Sequence, residues 1–288
     1  MKLGILTSGN LGLDTLEKII PHNEIGFVLT DTKSDGIINL CRERGIPCFK
    51  GNPRNGKGFE FIKYISVDVI ASINYLFLIE SDIIHHSTQF TFNIHGSLLP
   101  KYRGRTPHVW AIINNEKVTG ITAHLIDEGC DTGDVISQIA VQIEESDTGN
   151  DLLNKYKLEY YNLVKDVLDK AMSGKLVLTR QNNNFATYFG KRTPDDGEID
   201  WNWQKERIRN WVRAQADPYP GAFTYLKGTK VIIDRVVAVE EGFNFEMENG
   251  TVLKTFPEII VKTSNGALAI KSLRETINVQ VGDKFTRL

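Results

Sequence analysis

From Met1 the chain alternates short apolar runs with segments whose apolar residues recur at helical spacing. Met1 to Thr7, Glu24 to Thr30, Ile46 to Phe49 and Val67 to Ser72 read as strands, the longer ones as near-continuous apolar runs of the kind a sheet covered on both faces requires. Between and after them, Asp14 to Ile20, Ile37 to Arg44, Gly58 to Ile65 and Leu78 to Ile84 read as helices or helical turns. The apolar run ending at Phe92-Asn93-Ile94-His95 predicts a further strand that opens into a Gly- and Pro-containing loop. Pro107 to Asn114 predicts a helix with proline in its first turn, and Thr119 to Ile126 and Val135 to Gln142 predict two more strands. Asp147-Thr148 is placed to cap a long helix in which Leu152, Tyr156, Tyr160, Leu163, Val164 and Val167 form one stripe. Strand and helix in alternation predict an α/β fold, a doubly wound, Rossmann-like and mostly parallel sheet that binds ligands at the carboxyl ends of its strands.

The pattern changes at Gln181. Asn182-Asn183-Asn184 and the polar run through Gly197 predict a connection between two domains, the first over 1–184, a linker over 185–204 and a second domain over 205–288. The second domain opens with a helix from Lys205 to Ala214. Short β runs then follow at Lys230 to Val239, Phe243 to Glu248, Gly250 to Lys254, Glu258 to Thr263 and Ala267 to Leu273, which predict a small barrel.

Composition narrows the function classes. With 41% hydrophobic residues over 288 positions the chain can bury a sizeable core, and 34 basic against 36 acidic residues lack the basic excess of a nucleic-acid binder. Cys41, Cys48 and Cys130 form no metal-ligand spacing, and their odd count fits a reducing compartment better than a disulfide framework. No metal is expected. The N-terminus starts directly on a strand pattern without a signal-peptide profile and no apolar run reaches membrane-spanning length, so a cytoplasmic protein with no membrane partner is expected. Gly9 and Gly12 lack the third glycine of a dinucleotide fingerprint, which weakens an NAD reading.

The candidate chemistry lies at the end of the Phe92 strand. Asn93 and His95, two positions apart on an extended strand, point to one face. His can accept a proton near neutral pH, and the Asn carboxamide can donate a hydrogen bond to an oxygen that becomes negative, a pairing suited to acyl transfer onto an amine. Asp131 follows after one predicted helix and one predicted strand, where it would orient or charge-stabilise the imidazole.

Asn93-Ile94-His95-Gly96-Ser97-Leu98-Leu99-Pro100-Lys101-Tyr102-Arg103-Gly104, followed by Gly129-Cys130-Asp131-Thr132-Gly133-Asp134, resembles the folate-dependent formyltransferase family, which includes methionyl-tRNA formyltransferases and sugar N-formyltransferases. The linker and the second domain resemble the family's own, where the small barrel is OB-like. The resemblance implies that Asn93, His95 and Asp131 are the catalytic trio and that 10-formyltetrahydrofolate is the cosubstrate. It further implies that the backbone of Phe77, Leu78 and Ile79 recognises the pterin ring and that the turn Asp127, Glu128, Gly129 and Cys130 closes over the folate. Ser97, Lys101, Tyr102, Arg103 and Arg105 are the expected acceptor-binding residues, Lys101, Arg103 and Arg105 as cations for a diphosphate, with a solvated loop face or a clamp on Asp131 or Asp134 as their bland alternative. His124 is expected to be structural.

Methionyl-tRNA formyltransferases carry a longer, basic insertion after the second strand; here Asp31-Thr32-Lys33-Ser34-Asp35-Gly36 is short and nearly neutral. The expected acceptor is therefore the primary amine of a nucleotide-linked amino sugar, with methionyl-tRNA and water, in a formyltetrahydrofolate hydrolase, as the alternatives. A nucleic-acid-binding module is disfavoured because the barrel runs intermix both charges, and the barrel is expected to be structural or dimerising, a homodimer being one expected assembly.

Overall fold

The computed structural model of the chain describes residues 1–287. The elements run β1 (Lys2–Thr7), α1 (Gly9–Ile19), β2 (Glu24–Thr30), α2 (Asp35–Arg44), β3 (Cys48–Lys50), α3 (Lys57–Ile62), β4 (Val69–Ile73), α4 (Ser81–Ile84) and β5 (Phe90–His95). Then follow β6 (Arg103–Gly104), α5 (Pro107–Ile113), β7 (Val118–Leu125), β8 (Val135–Gln142), α6 (Gly149–Met172), β9 (Tyr188–Phe189) and α7 (Lys205–Ala214). The last strands are β10 (Ala222–Leu226), β11 (Thr229–Val239), β12 (Val252–Lys254), β13 (Ile259–Thr263), β14 (Gly266–Leu273) and β15 (Phe285–Thr286). These form two compact units, one of Met1–Gly104, Gly120–Val141 and Lys155–Tyr188, the other of Arg105–Thr119, Gln142–Asn154 and Phe189–Leu288. The units interleave in sequence, whereas the expected domains are contiguous.

The first unit is built on a seven-stranded sheet of order β3-β2-β1-β4-β5-β7-β8. β1 pairs in parallel with β2 and β4, β2 with β3 and β4 with β5, while β5 and β7 are antiparallel. The mostly parallel, doubly wound sheet expected from the strand–helix alternation is the one observed. Every residue of β4 is buried, and Leu6, Phe27, Leu29, Ile62, Val67, Ile70 and Ile83 pack into one cluster. The chain order reverses between β1 and β4, the topological switch where such sheets open a crevice. Gly4 is required there: a Cβ on it would stand 2.3 Å from Cζ of Phe27. α1 begins at Gly9, earlier than the Asp14 start expected, because Gly9 is already helical in its bonding although it lies at φ 66°.

The second unit centres on a six-stranded sheet of order β12-β13-β14-β11-β10-β15. Its ends meet: Val252 N–H donates to Asp283 O at 2.8 Å and Phe285 N–H to Gly250 O at 2.9 Å, so the sheet closes into the small barrel expected. Trp201 stacks on Phe285 with ring centroids 5.6 Å apart. Ala222–Leu226 is a strand that the expected β runs did not include, and one strand expectation fails here: Phe243 to Glu248 is not a strand. Asn244 turns that segment by accepting from Glu246 N–H through its side chain and from Met247 N–H through its carbonyl, which leaves Phe245 89% exposed.

Candidate active site

β5 presents Asn93 and His95 on one face, at the edge where the first unit's sheet turns antiparallel. His95 is buried, and its Nε2 lies 2.7 Å from the carbonyl oxygen of Tyr102. A carbonyl only accepts, so Nε2 carries the ring hydrogen and the neutral imidazole turns an unprotonated Nδ1 towards Asp131 Oδ2, 3.5 Å away. Tyr102 therefore orients the ring. At 3.5 Å Asp131 contributes charge more than a direct bond.

Asp131 sits at φ 55°, and its Oδ2 accepts the Gly104 N–H at 2.9 Å. A second imidazole reaches the same carboxylate. In the antiparallel register of β5 and β7, His124 stands opposite Asn93, so their side chains share a face. Nδ1–H of His124 donates to Leu125 O at 2.7 Å, which leaves Nε2 to accept from Asn93 Nδ2 at 3.3 Å, with Asp131 Oδ1 at 3.6 Å. One amide hydrogen of Asn93 is thereby taken up and the other remains to be given.

Burial lowers the His95 pKa below its ordinary 6.5, against an opposing pull from the Asp131 charge. Burial by itself would raise the Asp131 carboxyl, but the His124 and His95 imidazoles beside it and the Gly104 N–H outweigh it and hold the carboxyl well below the usual carboxylate range. The site thus gathers a neutral imidazole nitrogen, a fixed carboxylate and an amide N–H that has no partner among the described residues. That set can take a proton from an amine and hold a developing oxyanion.

Two models of protein families match the chain: "Formyl transferase" over residues 48–168 and "Formyl transferase, C-terminal domain" over residues 191–282. The chain belongs to the formyltransferase family. Among solved structures it is similar to WlaRD, a sugar 3N-formyl transferase studied with dTDP and 5-N-formyl-THF, at 22% identity and a TM-score of 0.73 over 96% of this chain and 99% of that one. The N-formyltransferase from Helicobacter canadensis, in complex with folinic acid and dTDP-3-aminofucose, gives 21% identity and a TM-score of 0.75 over 95% of this chain and 99% of that one. Methionyl-tRNA formyltransferase from Clostridium thermocellum gives 20% and 0.62 over 94% of this chain and 100% of that one.

The other expected site residues of this formyltransferase divide by burial. Phe77, Leu78 and Ile79 lie beyond β4 in a stretch without regular structure, with a bend at Phe77. Among the described residues their backbone groups make no hydrogen bond, and Leu76 and Leu78 are 53% and 64% exposed. Asp127, Glu128, Gly129 and Cys130 form an exposed turn in which Asp127 accepts from Gly129 N–H and Thr132 Oγ1, and the Cys130 thiol lies 3.6 Å from Asp131 Oδ2. Lys101 is exposed in the first unit; Arg105 is exposed in the second.

Three expected acceptor contacts are corrected. Ser97 is enclosed and donates to Lys101 O at 2.6 Å, a staple of its own turn. Tyr102 is buried and serves through its backbone, donating to Thr187 Oγ1 while its carbonyl holds His95. Arg103 is wholly buried, with its guanidinium bonded to Gln181, Asn183 and Tyr188, so it offers nothing to a diphosphate. His124, expected to be structural, is buried and hydrogen-bonded, and the strand register that opposes it to Asn93 brings it against the expected trio.

Proposed function

We propose that this formyltransferase moves the formyl group of 10-formyltetrahydrofolate onto the primary amine of a nucleotide-linked amino sugar. The observation that carries the reading is the convergence of Asn93, His95 and Asp131 at the end of β5, together with the backbone of Phe77 to Ile79, which follows the adjacent strand β4 and makes no hydrogen bond among the described residues. A flat heterocycle with amide-like edges needs backbone donors and acceptors flanked by apolar side chains, and this stretch has both.

In this reading His95 Nδ1 accepts the proton that the amine gives up as its nitrogen bonds to the formyl carbon. Asn93 directs its remaining amide hydrogen at the formyl oxygen as that oxygen takes on charge. Asp131 stabilises the imidazolium of His95, which returns the proton to the folate nitrogen as the carbon–nitrogen bond to the donor breaks. Burial keeps His95 in the neutral form the first step requires.

The sugar acceptor is supported by the higher likeness to the two sugar-modifying enzymes, with TM-scores of 0.73 and 0.75 against 0.62 for the tRNA-modifying one. It is supported also by the join of β2 to α2. There Asp31 takes Lys33 N–H and the Ser34 hydroxyl, and Ser34 Oγ takes Gly9 N–H at 2.8 Å. This closed turn carries one lysine where a tRNA phosphate backbone calls for several cations. Among the described residues no helix is long and apolar enough to cross a membrane; the proposal places the enzyme in the cytoplasm, and its homodimer is to be sought by sedimentation.

The test supplies 10-formyltetrahydrofolate with a panel of dTDP-, UDP- and GDP-linked amino sugars, charged initiator tRNA, or no acceptor, and follows tetrahydrofolate release. Turnover with a sugar nucleotide alone is expected. Turnover with tRNA alone, or equal release of formate without acceptor, would replace the sugar reading with a tRNA-modifying or a hydrolytic one.

A further inference from the structure

The segment Tyr102-Arg103-Gly104 touches both members of the His95–Asp131 pair. The Tyr102 carbonyl accepts from His95 Nε2 at 2.7 Å, and the Gly104 N–H donates to Asp131 Oδ2 at 2.9 Å. Between them lies Arg103, 0% exposed. Its Nε and Nη2 both reach Gln181 Oε1, at 3.1 and 2.6 Å; Nη2 also donates to Asn183 Oδ1 at 2.9 Å and Nη1 to the Tyr188 hydroxyl at 2.5 Å. These acceptors are neutral. A guanidinium forked onto one carboxamide oxygen polarises that amide and strengthens its N–H donors.

Gln181 is itself buried, and it directs both of those donors at the Asp131 turn: Nε2 lies 2.9 Å from Asp131 O and 2.7 Å from Gly133 O. The turn needs a restraint. Asp131 is a side-chain-bearing residue in the left-handed region, and the residues before it, Asp127 to Cys130, are exposed. A small rotation there would carry the carboxylate away from His95.

We propose that Arg103 and Gln181 are positioning residues: through the Gln181 amide, Arg103 holds the Asp131 turn in register with the His95 ring. The relay rests on the reading of Asn93, His95 and Asp131 given above. Backbone on either side of Arg103 fixes the ring and the carboxylate, and its side chain fixes the main chain that bears the carboxylate. Neither Arg103 nor Gln181 touches the reacting atoms.

The test compares Gln181→Ala, Gln181→Glu and Arg103→Lys with the wild-type full chain. Turnover is measured with the acceptor that the panel identifies, and the His95 imidazole is titrated by 15N NMR, assigned against His95→Ala and needing no acceptor. Three charged or titratable groups face His95: Asp131, whose charge raises its pKa, and His124 and Arg103, which lower it. Gln181→Glu keeps an oxygen for Arg103 but replaces the N–H donors with an oxygen facing two carbonyls. It should therefore be as impaired as Gln181→Ala, with kcat down about 10- to 100-fold and the folate KM within about twofold. In Gln181→Ala the His95 midpoint should fall below that of the wild type, because the carboxylate that raises it has moved off; the charge that Gln181→Glu adds opposes that fall, so kcat is its readout. Arg103→Lys, which cannot fork onto one oxygen, should shift kcat and the midpoint as Gln181→Ala does.

Wild-type kcat in folded Gln181→Glu with an unmoved His95 midpoint in folded Gln181→Ala would overturn the relay, as would losses accounted for wholly by unfolding in a thermal melt. His95→Ala separates this from failure of the parent reading. If it turns over like wild type the trio is wrong; if it is silent while the Gln181 variants are normal, the relay alone is wrong.

Discussion

The neutral tautomer of His95 decides what the site can do. With Nε2–H committed to the Tyr102 carbonyl, Nδ1 is the one ring atom that can receive a proton, and burial keeps it unprotonated. The acid limb of the kcat/KM profile should accordingly lie below pH 6.5, the ordinary histidine value, and a limb at or above it would contradict this assignment. The same shift acts on stability. The unfolded imidazole takes up its proton near pH 6.5 and the folded one only lower, so this contribution is complete above pH 6.5 and is lost as pH falls through the folded value. His124 carries a second expectation. By accepting from Asn93 at 3.3 Å it aims the carboxamide, so His124→Leu should lower kcat about tenfold or more while the folate KM stays near wild type. Steady-state kinetics with both substrates varied would check this, and a variant with unchanged kcat would reduce His124 to a packing residue.

At the scale of elements, α6 shows how local signals translate into stability. Thr148 and Asp151 form a reciprocal cap, the Asp151 N–H on Thr148 Oγ1 at 3.1 Å and the Thr148 N–H on Asp151 Oδ2 at 3.0 Å. Thr148→Ala should cost about 1 kcal/mol in urea unfolding, since it leaves a first-turn N–H without its partner. α5 gives a pH-dependent counterpart. Burial pushes the His108 imidazole, bonded to the Tyr219 hydroxyl at 2.8 Å, down to about 4. Its folded pKa lies below the unfolded value, so stability should fall as pH drops from 6.5 to about 4, and urea midpoints across that window should fall less in His108→Gln. Apolar periodicity made most elements legible: Glu24–Thr30, Val135–Gln142 and Lys205–Ala214 have the bounds their patterns predict. It misread Phe243 to Glu248, where alternating aromatics imitate a strand and the Asn244 turn is invisible to periodicity. Asn93 and His95 were legible because their shared face follows from spacing within one strand. His124 was not, because its face is set by pairing with another strand, and the burial of Arg103 was not, because its partners Gln181, Asn183 and Tyr188 lie about 80 residues further along.

At the scale of the whole molecule, charge discriminates between acceptors more directly than fold does, since enzymes of both acceptor classes share the fold. The chain carries 34 basic and 36 acidic residues, and many cations sit in ion pairs, as Arg274 does with Asp234 at 2.8 Å and Lys227 with Asp283 at 2.8 Å. A protein that neutralises six to ten phosphates loses about 10³- to 10⁵-fold in affinity between 50 and 200 mM salt, because each contact releases condensed counterions. A nucleotide sugar brings a single diphosphate and no condensed counterion layer, so screening of one or two exposed cations such as Lys101 is all that salt can weaken. Over the same range the acceptor KM of this formyltransferase should rise by less than about tenfold, with kcat nearly constant. A rise of several hundredfold would mean that the acceptor is a polyanion after all, held by a surface that the balanced total conceals.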